Sequence, residues 1–237
     1  MVDAVGLWGA VFRYERIFRG WGCRTGVLPV LFVLVVTGTA GCSGPSEQEL
    51  AREHYEQGLQ FEEHGSYRRA REEFTHAIRR DRGFTEAYVA QSRALLQTNN
   101  LRAAMASVNQ ALQLDEDLVE AHDLRGRIYT YMSDNESAIL SFTRAVQLDP
   151  EYADAYHNRA RVNLDDGNVD SALEDLSRAI ELRPFEAVYY MQRAQLYTHL
   201  DERDRALRDL ERVLEVTQDD DLTTTARRMM ENIRQAP

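Results

Sequence analysis

From Ala51 to Asp220 the apolar residues recur at three-and-four spacing in paired runs of about 14 residues, the signature of amphipathic helices. Between the members of each pair lie Gly65-Ser66, Asn99-Asn100, Ser133-Asp134, Gly167-Asn168 and Asp201-Glu202. These are residues that leave a helix readily. The pattern therefore predicts an all-α chain of helix pairs. It also repeats every 34 residues without insertion, over 51–84, 85–118, 119–152, 153–186 and 187–220. A period of that length marks a stacked array.

Fixed columns of small residues show how the pairs pack. The eighth position of each repeat holds Gly58, Ser92, Gly126, Ala160 and Ala194, and the twentieth holds Ala70, Ala104, Ala138, Ala172 and Ala206. At the twenty-seventh stand Ala77, Ala111, Ala145, Ala179 and Val213. Helix backbones approach closely only where facing side chains are small. Larger residues, such as Phe142 or Tyr156, are expected in the adjacent hollows. A stacked array also needs an end piece to cover its last apolar face. Residues 221–237 supply one, with Leu222, Ala226, Met229, Met230 and Ile233 on one helical face and Asp221 as the expected N-cap.

Two further columns complete the pattern. An aromatic residue or His occupies the fourth position (His54, Tyr88, His122, Tyr156, Tyr190), and Pro150 and Pro184 stand at the thirty-second. With these, the five repeats closely resemble the tetratricopeptide repeat (TPR) family. Asn163 and Arg203 depart from its usual aromatics at the eleventh and seventeenth positions. The resemblance implies a right-handed α-solenoid whose first helices line a concave groove that holds peptides or protein segments. It also implies that positions two, five, six, nine, twelve and thirteen face that groove.

On those positions fall Arg93, Arg127 and Arg161, the ninth residues of three consecutive repeats, with Tyr131, His157 and Asn158 nearby. A planar guanidinium bonds both oxygens of a carboxylate, so the row is suited to an acidic peptide or protein segment. The competing reading is a solvated face, with Asp123–Arg127 and Arg161–Asp165 paired at four-residue spacing along their helices. Other charges have a structural expectation. Arg159 and Arg193 at the seventh position face the partner helix, where Asp175 and Asp209 at the twenty-third are the expected acceptors. Arg125 meets Ser141 instead.

The region before the repeats has a different character. Arg13, Arg16, Arg19 and Arg24 precede a short apolar run from Gly26 to Val36, followed by small residues ending in Thr39-Ala40-Gly41-Cys42. The order basic, apolar, small is that of an export signal, and the run is too short to span a bilayer. The small residues before Cys42 resemble a bacterial lipobox. The resemblance implies a signal peptide over 1–41, acylation of Cys42, and a tether over 42–50. Cys23 lies in the leader, so the mature chain holds one cysteine and no disulfide.

All 28 basic residues are Arg, and loss of the leader leaves 24 of them against 37 acids, a net charge of −13. So acidic a chain is not expected to bind nucleic acid. Membrane attachment would come from acyl chains on Cys42. There is no GxSxG, HExxH or P-loop motif, and the six His fall at unrelated repeat positions. Neither a cofactor nor a metal is expected, and no enzyme activity. The sequence thus points to a lipoprotein scaffold of the bacterial cell envelope, with the periplasmic face of the outer membrane favoured. Similar lipoproteins serve pilus or secretin assembly, outer-membrane biogenesis or control of peptidoglycan hydrolases. The alternative is an enzyme or sensor whose active site the sequence does not reveal.

Overall fold

The computed structural model describes residues 44–235; Cys42, the leader and the last two residues lie outside that range. Every regular element among the described residues is an α-helix. The helices pair as α1 (Glu47–Glu63) with α2 (Tyr67–Arg80), α3 (Thr85–Gln97) with α4 (Leu101–Leu114), and α5 (Val119–Tyr131) with α6 (Asn135–Leu148). Then come α7 (Ala153–Asp165) with α8 (Val169–Leu182), α9 (Ala187–His199) with α10 (Arg203–Val216), and a final α11 (Asp220–Gln235). No helix among the described residues is long and apolar enough to cross a membrane.

All five intra-pair turns use one device. Gly65, Asn99, Ser133, Gly167 and Asp201 each adopt a positive φ between 56° and 79°. The next amide reaches back to the third-from-last helical carbonyl, as in Asn100 N–H to Leu95 O at 2.9 Å and Asp134 N–H to Tyr129 O at 3.0 Å. This closes the otherwise unsatisfied carbonyls at the helix end and reverses the chain. Three of the five use a non-glycine residue there, Asn and Asp being the side chains that tolerate it best.

The helix ends differ from expectation at two places. Helix α1 begins at Glu47 rather than Ala51, taking in Glu47 to Leu50, which the sequence reading leaves to the tether. A capping box extends it. The Ser46 hydroxyl accepts from Glu49 N–H at 3.2 Å, while the Glu49 carboxylate accepts from Ser46 N–H at 2.7 Å. At the other end Asp219, not Asp221, caps α11, accepting from the amides of Asp221 and Leu222 at 2.9 Å each. Asp221 lies one residue inside the helix, where it complements the helix dipole. Ala226, Met230 and Ile233 of α11 are buried in one core with Leu210 and Val213 of α10, so the last repeat is covered.

The core contact lies between the eighth and twenty-fourth positions. Phe74, Val108, Phe142, Leu176 and Leu210 at the twenty-fourth are all fully buried. Their sizes run inversely to the facing residue: Gly58 and Gly126 face Phe, Ala160 and Ala194 face Leu, and Ser92 faces Val. A methyl group on Gly126 would sit 2.6 Å from the Phe142 ring, and one on Gly58 would overlap the Phe74 ring in the same way. Ser92 fits because its buried hydroxyl donates to Ala104 O at 2.8 Å, across to the twentieth position.

A polar ladder stitches the pairs together through the seventh position. Arg159 donates to both oxygens of Asp175, at 2.9 and 2.6 Å, and Arg193 to both of Asp209, at 2.8 Å each. The two expected pairs are therefore present. Each Arg also reaches into the preceding repeat, Arg159 to Thr143 Oγ1 and Arg193 to Ser177 Oγ, at 3.0 Å each. Gln91 spans the same places earlier in the chain, donating to Thr75 at 2.9 Å and accepting from Ser107 at 2.7 Å. Arg125 donates to Ser141 at 3.3 Å and to His122 Nδ1 at 3.2 Å. His122 Nε2 lies 2.8 Å from Glu116 O, so its ring is the neutral Nε2–H tautomer. Burial and the Arg125 charge both push its pKa down, consistent with that form.

Two stability predictions follow from these contacts. Gly126→Ala overfills the space against Phe142 and is expected to destabilise by about 1–3 kcal/mol. Adding Phe142→Leu reproduces the Ala–Leu pairing of the fourth and fifth repeats and should recover much of that loss, measured by urea unfolding. Arg159→Met strands the buried Asp175 and should cost about 3–5 kcal/mol, whereas the double change Arg159→Met with Asp175→Leu should cost far less.

Candidate functional site on the concave face of the third and fourth repeats

Among the ninth-position arginines, Arg93 is closed by its own chain. It donates to both oxygens of Glu62 at 2.7 and 3.0 Å and to Glu120 at 2.5 Å. The geometry is general: the ninth residue lies between the twelfth of the preceding repeat and the second of the next. For Arg127 those neighbours are Leu96 and Asp154, and for Arg161 they are Thr130 and Val188. Asp154 is itself held by Arg183 at 2.8 and 3.0 Å and by the Tyr189 hydroxyl at 3.1 Å. Arg127 and Arg161 consequently make no ion pair within 4.0 Å among the described residues. The four-residue pairs Asp123–Arg127 and Arg161–Asp165 do not form.

The two open arginines line a common concavity of about 290 Å³ with Tyr131, Asp154, His157 and Asn158. Helices α5 and α7 supply its walls, and Tyr152 of the connecting loop and Asp123 complete the lining. Tyr131 is 61% exposed. Five of the six groove residues named from the sequence thus converge here, and Arg93 does not. A larger cavity of about 610 Å³ lies elsewhere, around Tyr156, Arg159 and Asp175. Its two buried charges already satisfy one another.

Three further residues line the concavity: Asp123, which the sequence offers only as a helix-surface pair for Arg127, Asp154 of the second position, and Tyr152, for which the sequence gives no signal. Asp123 is only 4% exposed and accepts one hydrogen bond, from Asn158 Nδ2 at 2.9 Å. Burial pushes its carboxyl up to about 6, against the lowering effects of the Asn158 bond and the Arg127 charge. Burial likewise raises the Tyr152 phenol. It lowers the His157 imidazole against a raising effect of the Gln192 side chain; the His157 Nε2 is buried with no partner at hydrogen-bond distance, and the ring lies 4.9 Å from that of Tyr189. The groove floor is therefore poorly solvated, and its polar atoms are incompletely satisfied by the chain. Asp123 stands at the inward-facing fifth position, which was the available signal.

Profiles of the tetratricopeptide repeat match residues 55–118, 153–186 and 187–220, and a TPR repeat profile matches 126–167. Together they span nearly all of the repeat array. The chain belongs to the tetratricopeptide repeat family. Its fold is shared with TTC0263, a thermophilic TPR protein of Thermus thermophilus, at 20% identity and a TM-score of 0.65 over 74% of this chain and 96% of that one. Pseudomonas aeruginosa pilF aligns at 16% identity with a TM-score of 0.69 over 79% and 90%. YrrB, described as a TPR protein with an unusual peptide-binding site, aligns at 18% and 0.57 over 75% and 92%. At these identities the likeness carries the fold alone. No curated protein matches the chain in sequence.

The Asp123 carboxyl gives a pH signature. Its folded pKa of about 6 exceeds the ordinary 3.8, so the folded state favours the protonated form. The stabilisation is complete below about pH 4 and is lost as pH rises through about 6, an effect of about 2–3 kcal/mol. Asp123→Asn, whose amide oxygen still accepts from Asn158, should unfold at higher temperature than wild type at about pH 7.5. The difference should shrink to nothing near pH 4.

Proposed function

We propose that this chain is a lipid-anchored scaffold of the bacterial cell envelope. It would hold acidic segments of partner proteins in the concave groove at the third and fourth repeats. The TPR fold supports the general part of this reading, a surface for peptides or proteins. The observation that carries the particular site is that Arg127 and Arg161 face one concavity without acidic partners, beside the exposed Tyr131. Two guanidinium groups and an aromatic plate are a recognition chemistry for carboxylates on an extended chain.

The anchor rests on the sequence around Cys42, with its basic and apolar leader and small-residue cleavage site. Helix α1 begins five residues after Cys42, so an extended link reaches at most about 18 Å. The repeats would then work close to the membrane, on the periplasmic face of the outer membrane. Assembly of pili or secretins, outer-membrane biogenesis and control of peptidoglycan hydrolases are the tasks that suit such a scaffold.

The enzyme alternative calls for ionisable groups acting on one another. The groove does gather groups with displaced pKa, and the Asp123 charge adds to the rise at Tyr152, but burial leads each of those shifts. Asp123 is bonded to an amide rather than to His157 or Tyr152. That arrangement is a desolvated floor, and it favours recognition over turnover.

Two measurements test the proposal. Intact mass of the membrane-extracted protein should show a diacylglyceryl group on the thiol of an amino-terminal Cys42, absent in Cys42→Ala. In-cell crosslinking should recover fewer partners with Arg127→Gln/Arg161→Gln, at unchanged thermal stability. Arg93→Gln should instead lower stability, because Glu62 and Glu120 lose their counter-ion, while leaving partner recovery intact. Full recovery by the folded double variant would mean that this pair of arginines is only a solvated face.

A further inference from the structure

Among the described residues three aspartates are buried, and two of them are neutralised by the chain. Asp175 receives both arms of Arg159 and an amide of Asn163 at 3.3 Å; Asp209 receives both arms of Arg193. The third, Asp123, has the Asn158 amide as its one hydrogen-bond donor and no ion pair. An uncompensated carboxylate in a poorly solvated site is costly, and a folded chain that places one at a cavity wall leaves acceptor capacity for something else. Asp123 lines the same concavity as Arg127 and Arg161.

From this contrast we infer that Asp123 is a cation-accepting subsite of the groove, so that the bound segment carries a Lys or Arg side chain beside its carboxylate. The inference rests on the binding role proposed above and names the ligand more narrowly. The register supports it. Asp123 and Arg127 are four residues apart on α5, an axial rise of about 6 Å. In an extended peptide, residues two apart point to the same side and lie about 6.6 Å apart. A segment running along α5 with a basic residue and an acidic residue at that spacing sets its cation on Asp123 and its carboxylate on Arg127. Arg161 of the next repeat is then open to a second carboxylate. Tyr152, whose phenol feels the Asp123 charge, supplies an aromatic face suited to the aliphatic stem or the charge of the basic side chain.

The neighbouring groups are consistent with this division. Asp154 adds negative charge on the α7 side although Arg183 and Tyr189 hold it, and Glu120 of α5 is already bonded to Arg93. His157 is kept neutral by burial, and Arg161 stands one turn further along α7. Asp123 is therefore the acid of the concavity without a cationic partner, and Arg127 and Arg161 are its open cations. The charge of a ligand cation would also offset the burial that pushes the Asp123 carboxyl up, so its binding would release a proton near pH 6.

The test uses the purified protein and a capped Ser/Gly peptide with Lys and Glu two residues apart, compared with its Gln-for-Lys analogue. Wild type should bind the Lys peptide about tenfold more tightly, the worth of one charge-assisted contact. Asp123→Asn should bind both peptides alike. Titration calorimetry at about pH 6 in two buffers of different ionisation enthalpy should show proton release on binding the Lys peptide to wild type and none with Asp123→Asn. Equal affinity of wild type for the two peptides, or a preference that survives Asp123→Asn, would overturn the subsite. Arg127→Gln/Arg161→Gln should weaken both peptides. If it weakens neither, the groove-binding role itself fails, an outcome separate from loss of the Lys preference alone.

Discussion

The contact between the eighth residue of one helix and the twenty-fourth of its partner is the constraint on which the rest of the molecule depends. It sets the distance and rotation of each helix pair, and it is constant in sum rather than in kind: Gly with Phe, Ala with Leu, Ser with Val. Close packing leaves little room for variation there. Once the pair is fixed, residues 16 apart in sequence face one another. The seventh position consequently meets the twenty-third of its own repeat and the twenty-fifth of the one before. Every rung of the polar ladder from Gln91–Thr75 to Arg193–Asp209 has that separation.

The ladder changes chemistry along the array. Neutral Gln, Ser and Thr occupy it toward the amino terminus, Arg125 with Ser141 is intermediate, and Arg–Asp pairs occupy it in the fourth and fifth repeats. Buried ion pairs are not a superior means of stabilisation, since desolvation offsets much of the attraction. Their geometric demand is stricter, however. A bidentate guanidinium–carboxylate pair tolerates little sliding between helices, and each Arg also holds a hydroxyl of the preceding repeat. The wall of the groove formed by α7 and α9 is thereby the part of the array most firmly held in register.

Nearly all of the fold was legible in the sequence, because a 34-residue period without insertions states both the unit and its stacking. The turns, the small columns and the Arg159–Asp175 and Arg193–Asp209 pairs could be read within a single repeat. The errors came where a residue's partner lies in another repeat or just beyond an apparent boundary. Arg93 looked equivalent to Arg127 and Arg161 because reading along one helix does not show Glu62, a repeat earlier, or Glu120, a repeat later. Asp123 was weighed only as a neighbour of Arg127 on the same helix, whereas its burial comes from stacking against α7. Asp219 and Glu47 were missed for a local reason. Polar residues flanking an apolar pattern can sit either inside or outside a helix, and capping bonds decide between the two.

The same inter-repeat relation explains where a segment would sit. Toward the amino terminus the inward arginine is neutralised, and Glu62, Glu86 and Glu120 make that end of the groove acidic. Toward the carboxyl terminus the second, fifth and ninth positions hold Val188, Met191 and Gln195, without charge. Val188 and Phe185 are exposed there, with the Arg212 guanidinium 5.8 Å from the centre of the Phe185 ring. At the ninth position, open positive charge is therefore confined to the third and fourth repeats, between an acidic stretch and a neutral, partly apolar one. An extended segment placed one repeat earlier would set its carboxylates against Glu86 and Glu120, and one placed one repeat later would keep Arg161 but lose Arg127. Register in this groove is specified by repulsion on one side and by loss of one of two cations on the other, which is how a repeated surface acquires a preferred site.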